Sequence, residues 1–519
     1  MNFIVSPMRN FNTMDNNKRM AINTIILYAK LIITIVVNLY STRLILSAMG
    51  VEDYGVVNLI SGIVAMLSFM QNSMSVSSQR FMSVYMGKHD DDLMKKVFSS
   101  SFVLHLLLAL IFLIVLEALT PIIFGSAIQI PDYRISAAQI LYQLTIIGTA
   151  LVVITVPYDA ALNAHENMLL FSIATIIESL IRLAGAFILL VYSNDKLIFY
   201  GFLVILIRLV SLMIKSLYCR RYYLETRFSL TNSDKSTMKE MFTFAFWNMF
   251  GAMALTGRSQ GIAIVMNIFL GVVVNASYGI ATQISGQLQN FTATISKAMN
   301  PQIMQRAGLG NQEGMMSLAL AQSKYSSILL SYAIVPMAFL MPFVLKLWLG
   351  EIPEYSVAFC ILMLILSAIQ QFSIGLMSAI QATGNIKNYQ ICVSIMMLLN
   401  IPLAYILLWL DFSAPVVVVG MILIEVLVCI IRIVFAHKLA DLQILRFIKT
   451  VIVPVSILYI ISSTAVYILK EMFFTTENLI SFFTQIFLYF IIITFFAFMV
   501  LTKSEREIII KIVTSKIKK

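Results

Sequence analysis

Seven ionisable side chains of this 519-residue chain are assigned to the interior of long apolar runs rather than to the loops at their ends: the bases Lys30, Arg182, Arg208 and Arg258, and the acids Glu117, Glu178 and Glu425. A charge near mid-membrane costs about 2.5–3.5 kcal/mol on insertion scales, so each needs a partner, a route to water or a function. Glu178 and Arg182 are four residues apart, on one helical face, and can pair with each other. Lys30, Arg208 and Arg258 have no obvious partner nearby in sequence, and the long stems of Lys30 and Arg208 let them snorkel toward headgroups. Arg258 lies deeper, between Gly257 and Ser259. A guanidinium there suits an anionic substrate, because its fork matches phosphate oxygens. Glu117 is near a helix end and can reach the interface, whereas Glu425 is deeper. Glu178 and Glu425 are the candidates for binding a coupling proton or cation. Four bases against three acids lean only slightly toward an anionic substrate.

Uncharged polar side chains gather in two of the runs. Asn58, Gln71, Asn72 and Gln79 make one unusually polar, and Gln283, Gln287 and Asn290 do the same in the other. Helices of this kind do not face lipid all round. They are expected to line a cleft, with interhelical hydrogen bonding as the alternative.

The elements that carry these groups must be membrane helices. The chain is 60% hydrophobic and 12% charged, with a mean hydropathy of +0.90, whereas soluble domains average roughly 25% charged residues. An α-helix rising ~1.5 Å per residue needs about 20 apolar residues to cross ~30 Å of hydrocarbon. About fourteen such stretches occur: 21–46, 55–79, 97–120, 136–157, 167–192 and 197–219, then 241–266, 271–297, 322–349, 356–380, 389–410 and 415–436, then 448–470 and 479–502. The expected fold is therefore all-α and polytopic. Its expected organisation is a cytoplasmic segment 1–20, a first lobe 21–219, a linker 220–240, a second lobe 241–436, two appended helices within 437–502 and a basic tail 503–519.

Lys and Arg residues stay preferentially in cytoplasmic loops. With the N-terminus inside, the inside segments hold 27 of the 36 basic residues, among them six from Lys215 to Lys239, and the outside loops hold five: Arg43, Arg134, Lys196, Lys346 and Lys470. Both termini are thus expected in the cytoplasm. The net charge of +11 is spread over short loops rather than collected on a domain, which argues against nucleic acid. The tail is expected against anionic headgroups, and the polar first ~19 residues show no cleavable signal.

The longest segments outside the membrane, near 220–240 and 298–321, are too short for a catalytic or nucleotide-binding domain, which needs ~50 residues. No phosphate-binding loop GxxxxGK[ST] occurs, and Gly308, Gly310 and Gly314 lack the dinucleotide spacing. His89, His105, His165 and His437 are too dispersed for a metal site. His105 reads as a buried, hydrogen-bonded residue. Cys219, Cys360, Cys392 and Cys429 read as small apolar core residues. Neither cofactor nor metal is expected.

The chain also repeats itself. Tyr54-Gly55-x5-Ser61-Gly62 returns 224 residues later as Tyr278-Gly279-x5-Ser285-Gly286, and Ala161–Met168 is echoed 218 residues on by Ala379–Ile386. Two copies of six spans each enter the membrane from the same side, so they are related by an axis along the membrane normal and face one central cleft. Gly55, Gly62, Gly279 and Gly286 are expected to let helices approach closely.

The run from Arg43 to Lys88, RLILSAMGVEDYGVVNLISGIVAMLSFMQNSMSVSSQRFMSVYMGK, resembles the first hairpin of bacterial polysaccharide transporters of the O-antigen flippase type. Their superfamily also contains the multidrug and toxin extruders and the lipid II flippases. The resemblance implies a flippase of the bacterial inner membrane that carries an undecaprenyl-pyrophosphate-linked oligosaccharide from the cytoplasmic to the outer leaflet by alternating access. It also implies cleft cations that hold the pyrophosphate, for which Lys30, Arg43, Arg208 and Arg258 are the candidates. A polysaccharide polymerase, a chain-length regulator and a proton or sodium gradient are the implied partners. The alternative is a cation-coupled multidrug exporter of the same fold; an integral glycosyltransferase is disfavoured because no substantial loop carries an acidic metal or sugar-nucleotide site.

Overall fold

The computed structural model describes residues 16–507, apart from 66–67, 89, 128–129, 350, 475–477 and 504. Helices dominate these residues for a physical reason: in lipid no water takes up backbone N–H and C=O groups, and a helix satisfies them within one segment. In chain order they are α1 (Asn16–Ala65), α2 (Ser68–Gly87), α3 (Asp91–Ile122), α4 (Ile135–Ala164), α5 (Met168–Val191), α6 (Lys196–Tyr222), α7 (Lys235–Gly308), α8 (Gln312–Leu349), α9 (Ser356–Phe372), α10 (Ile374–Thr383), α11 (Lys387–Leu398), α12 (Asn400–Trp409), α13 (Ala414–Ala440), α14 (Ile444–Phe473) and α15 (Leu479–Val500).

The expected fourteen spans are not reached. Among the described residues eleven helices are long and apolar enough to cross a bilayer, or thirteen if the bent pairs Glu52–Val64 with Ser68–Gly87 and Ser356–Phe372 with Ile374–Thr383 each count as one span. The shortfall falls at 271–297, within the second half of α7. That stretch is helical but too rich in amides and hydroxyls, from Thr282 and Gln283 to Thr294, to qualify as an apolar span.

Two compact units divide the chain: the described residues up to Ala252 together with Lys297–Asn311, and Met253–Ser296 together with the described residues from Gln312 onward. In the first unit α4 packs on α3 and α6, and α1 on α5. Its core includes Val56, Ile60, Leu116, Leu141 and Tyr142, and the Tyr142 hydroxyl donates to the Leu116 carbonyl at 2.6 Å. Arg134, in the turn before α4, ties three elements together at one end, bonding Asp53 of α1 and, at 2.9 Å, Asp195 at the start of α6. His105 is fully buried, with Nδ1 2.8 Å from the Ser101 carbonyl.

The second unit has a core of Tyr278, Phe359, Met363, Val417 and Met421. A further cluster of Val335, Leu340, Val466 and Tyr489 seats α14 and α15 on α8. Beyond α15 the chain returns to α8, where Glu505 accepts from the buried Lys324 Nζ at 2.6 Å.

Both units carry the same bend. Gly50 interrupts α1 with φ 81° and ψ 171°, and Gly271 interrupts α7 with φ 76° and ψ −174°. The repeated glycines behave otherwise than expected. A Cβ added at Gly55, Gly62, Gly279 or Gly286 meets nothing within 4 Å, because these positions lie on open faces of their helices rather than at crossings. Close approach occurs at three other glycines, where a Cβ would run into a backbone carbonyl: Gly87 against Gln305, Gly308 against Val84, and Gly375 against Ala319.

This contrast makes a prediction. Gly286→Ala should leave thermal unfolding of the detergent-purified protein within about 0.5 kcal/mol of wild type, whereas Gly375→Ala should cost about 1–3 kcal/mol through overpacking. Equal losses in the two variants would contradict the placement of these helices.

Candidate functional site

Two helical stripes build the polar centre of the first unit. On α5, Phe171, Thr175, Glu178 and Arg182 recur every three or four residues; on α6, Arg208, Ser211 and Lys215 do the same. Such spacing puts each set on one face, and α5 packs on α6. Glu178 reaches across. It accepts from Ser211 Oγ at 2.6 Å and lies 3.5 Å from Arg208 Nη1 and 3.9 Å from Lys215 Nζ. The Glu178–Arg182 pair expected from their spacing does not form, because α6 offers this carboxylate a hydroxyl and two cations.

Around Phe171 three ammonium groups converge from three helices. Lys30 of α1 lies 5.4 Å from the ring centroid, Lys215 of α6 5.3 Å and Lys297 of α7 3.3 Å. A ring face attracts a cation by about 0.5–2 kcal/mol, which cannot neutralise three. Lys215 also pairs with Asp159 at 2.9 Å. Counting Arg182 and Arg208, five cations meet two carboxylates, so the seam keeps a positive excess that an anion would relieve.

Lys215, counted above with the cytoplasmic charges, and Lys297, at the end of the expected span 271–297, are both on helices, since α6 runs on to Tyr222 and α7 to Gly308. The Arg208, Ser211, Lys215 spacing could have revealed Lys215. Lys297 had no comparable signal, because its neighbours in space are remote in sequence.

A cavity of about 270 Å³ opens beside this seam, lined among others by Gln71, Thr145, Thr149, Arg182, Tyr200 and Arg208. No carboxylate is among the described residues that line it.

The second unit holds a separate charge cluster. Glu425 on α13 is fully buried, with Arg258 and Arg432 nearly so. Its carboxylate lies 3.4 Å from Arg258 Nη1 and 3.3 Å from Arg432 Nη1, and Gln370 Nε2 donates to it at 3.3 Å. Arg432 also donates to Ser373 Oγ at 2.9 Å. The partner of Arg258 is thus 167 residues away in sequence. Arg432, seven residues from Glu425, was missed because it stands near the end of its apolar run.

The remaining expected site residues scatter. Arg43 is exposed on α1 and forms no ion pair among the described residues. The Asn58 side chain lies outside the described residues. Asn72 is exposed, and Gln79 is half-buried with its Nε2 unpartnered among the described residues. Gln283, Gln287 and Asn290 share one exposed face of α7. Glu117 accepts from Gln143 at 2.8 Å.

A sequence model of the family described as "Polysaccharide biosynthesis protein" matches residues 18–306, more than half of the 519. The chain belongs to this polysaccharide biosynthesis protein family. All five cations of the seam fall within the matched stretch. No curated protein sequence matches this family member.

Solved structures share its fold. A MOP superfamily transporter from Pyrococcus furiosus, whose binding pocket is described as reversed in polarity, is 13% identical, with 84% of this chain and 98% of that one covered at a TM-score of 0.71. An outward-facing multidrug resistance MATE family transporter is 14% identical, with 83% and 97% covered at 0.70. A MATE transporter in the straight conformation is 14% identical, with 83% and 97% covered at 0.71. Identities this low speak for fold alone. This polysaccharide biosynthesis protein is a multi-pass membrane protein that shares the fold of these MOP superfamily and MATE transporters.

Proposed function

We propose that the protein is a flippase that moves an undecaprenyl-pyrophosphate-linked oligosaccharide, the repeat unit of an O-antigen, capsule or exopolysaccharide, from the cytoplasmic to the outer leaflet of a bacterial inner membrane. The observation that carries this reading is the convergence of Lys30, Lys215 and Lys297 on Phe171. Three ammonium groups at one place suit a diphosphate, whose charge they share without the fixed geometry a guanidinium demands. Transport proceeds by alternating access, with both termini in the cytoplasm and a proton or sodium gradient as drive. A polymerase and a chain-length regulator take the delivered repeat unit.

The drug-exporter alternative needs a carboxylate free to bind an organic cation and a coupling ion. Glu178 and Glu425 are each already bonded to a guanidinium, which weighs against it. The reversed pocket polarity described for the Pyrococcus furiosus relative is the kind of change this reading requires here, with bases where an exporter of cations needs acids.

Deleting the gene should abolish surface polysaccharide and accumulate lipid-linked repeat units in the cytoplasmic leaflet, with drug susceptibility unchanged. Normal surface polysaccharide in the deletion strain, together with heightened susceptibility to cationic drugs, would favour the exporter.

A further inference from the structure

We infer that the cavity of about 270 Å³ in the first unit is a subsite for one acidic sugar residue, a monosaccharide bearing a single carboxylate or phosphate. Arg182 carries the argument. It lines this cavity at mid-length on a membrane helix and, among the described residues, forms no ion pair and faces a lining without any carboxylate. Its guanidinium is thus not committed to a carboxylate among the described residues, and the second arginine of the lining, Arg208, lies 3.5 Å from Glu178. Together they offer a forked, bidentate receptor for one anionic group.

The remaining walls suit a sugar ring. Thr145 and Thr149 donate their hydroxyl protons to the Leu141 and Thr145 carbonyls at 2.8 and 2.9 Å, which leaves their oxygens as acceptors for sugar hydroxyls. Gln71 supplies an amide and Tyr200 a phenol. At about 270 Å³ the cavity has room for a single sugar ring and its substituent rather than for water alone.

Position ties the cavity to the lysines. Arg208 and Lys215 are seven residues apart on α6, about 10 Å along the axis at ~1.5 Å per residue, roughly the reach of two linked sugars. A diphosphate held at Phe171 therefore brings the first or second sugar to Arg182. The inference rests on the flippase reading for the identity of the glycan, but the anion preference of the cavity does not.

The test is calorimetric titration of the purified full-length protein in lipid nanodiscs with D-glucuronate, D-glucose 1-phosphate and D-glucose. Either anionic probe should bind about tenfold or more tightly than glucose, the usual worth of a charge-assisted hydrogen bond, and the stronger of the two identifies the substituent. Arg182→Gln should erase that preference and Arg182→Lys should retain part of it, with thermal unfolding reporting whether either variant is folded. Glucose binding as tightly as both anions, no binding by any probe, or an unchanged preference in folded Arg182→Gln would overturn the subsite. If the subsite fails while Lys297→Gln still blocks surface polysaccharide, the flippase reading stands alone. If Lys297→Gln leaves polysaccharide normal while Arg182 governs sugar binding, only the flippase reading is lost.

Discussion

Lys297→Gln should reduce surface polysaccharide about tenfold to a hundredfold while protein abundance stays at the wild-type level. The range follows from losing one charge-assisted contact to a diphosphate, about 1.5–3 kcal/mol. Stability should not fall, because Lys297 forms no hydrogen bond or ion pair among the described residues. Its ammonium instead sits 3.3 Å from the Phe171 centroid, in a ring that Lys30 and Lys215 also approach. Removing it relieves repulsion among like charges. Lys297→Arg should retain most of the function. Lys215→Gln should behave differently, since it also breaks the pair with Asp159 and leaves a carboxylate unpaired, so its loss of polysaccharide should come with lower abundance. Immunoblots and surface-glycan staining of complemented deletion strains measure both quantities. Wild-type polysaccharide in Lys297→Gln would remove the lysine cluster from the transport path.

Glu425→Gln should destabilise the protein by about 3–5 kcal/mol, the range for removing one member of a buried ion pair. The fully buried Glu425 is the common partner of Arg258 and Arg432. A neutral amide in its place leaves two guanidinium groups facing each other out of reach of water. The converse follows from the same physics. Exchanging all three residues for methionine should restore thermal stability to near wild type, because a well-packed apolar group of similar volume often replaces a buried ionic triad without loss. Size-exclusion profiles and melting temperatures of detergent-solubilised fusions report the outcome. The measurement also decides what Glu425 is for. If Glu425→Gln keeps wild-type stability but stops transport, the carboxylate couples an ion and is no structural counter-charge.

The amount of this architecture that could be read from the chain varied with the range of the interactions involved. Apolar run length is a local property, and among the described residues each of the fourteen expected stretches is mainly helical, although the second half of α7 is too polar to count as an apolar span. Charge pairing is non-local. Glu178 and Arg182 have the right spacing on one helix, yet Ser211 and Arg208 on the neighbouring helix outcompete that pairing. Arg258 looked solitary because Glu425 is 167 residues away. Lys215 counts as a loop charge in the sequence for a related reason: hydropathy marks where a helix stops being apolar, not where it stops being a helix. The glycines show the limit of a motif. Repetition singled out Gly55, Gly62, Gly279 and Gly286, but close packing depends on what lies opposite, and that selected Gly87, Gly308 and Gly375 instead.

Gly50 and Gly271 stand 221 residues apart, amid neighbours with little in common, Ala48-Met49 in one copy and Phe269-Leu270 in the other. Their backbone angles nonetheless agree within about 15°, in a region of φ/ψ space that essentially only glycine enters. The repeated Tyr-Gly-x5-Ser-Gly begins four residues after Gly50 but seven after Gly271, so the two halves hold this torsion in common without holding it at one fixed distance from the repeated residues. A protein rebuilt from either half should carry that bend already, whatever it carried across the membrane.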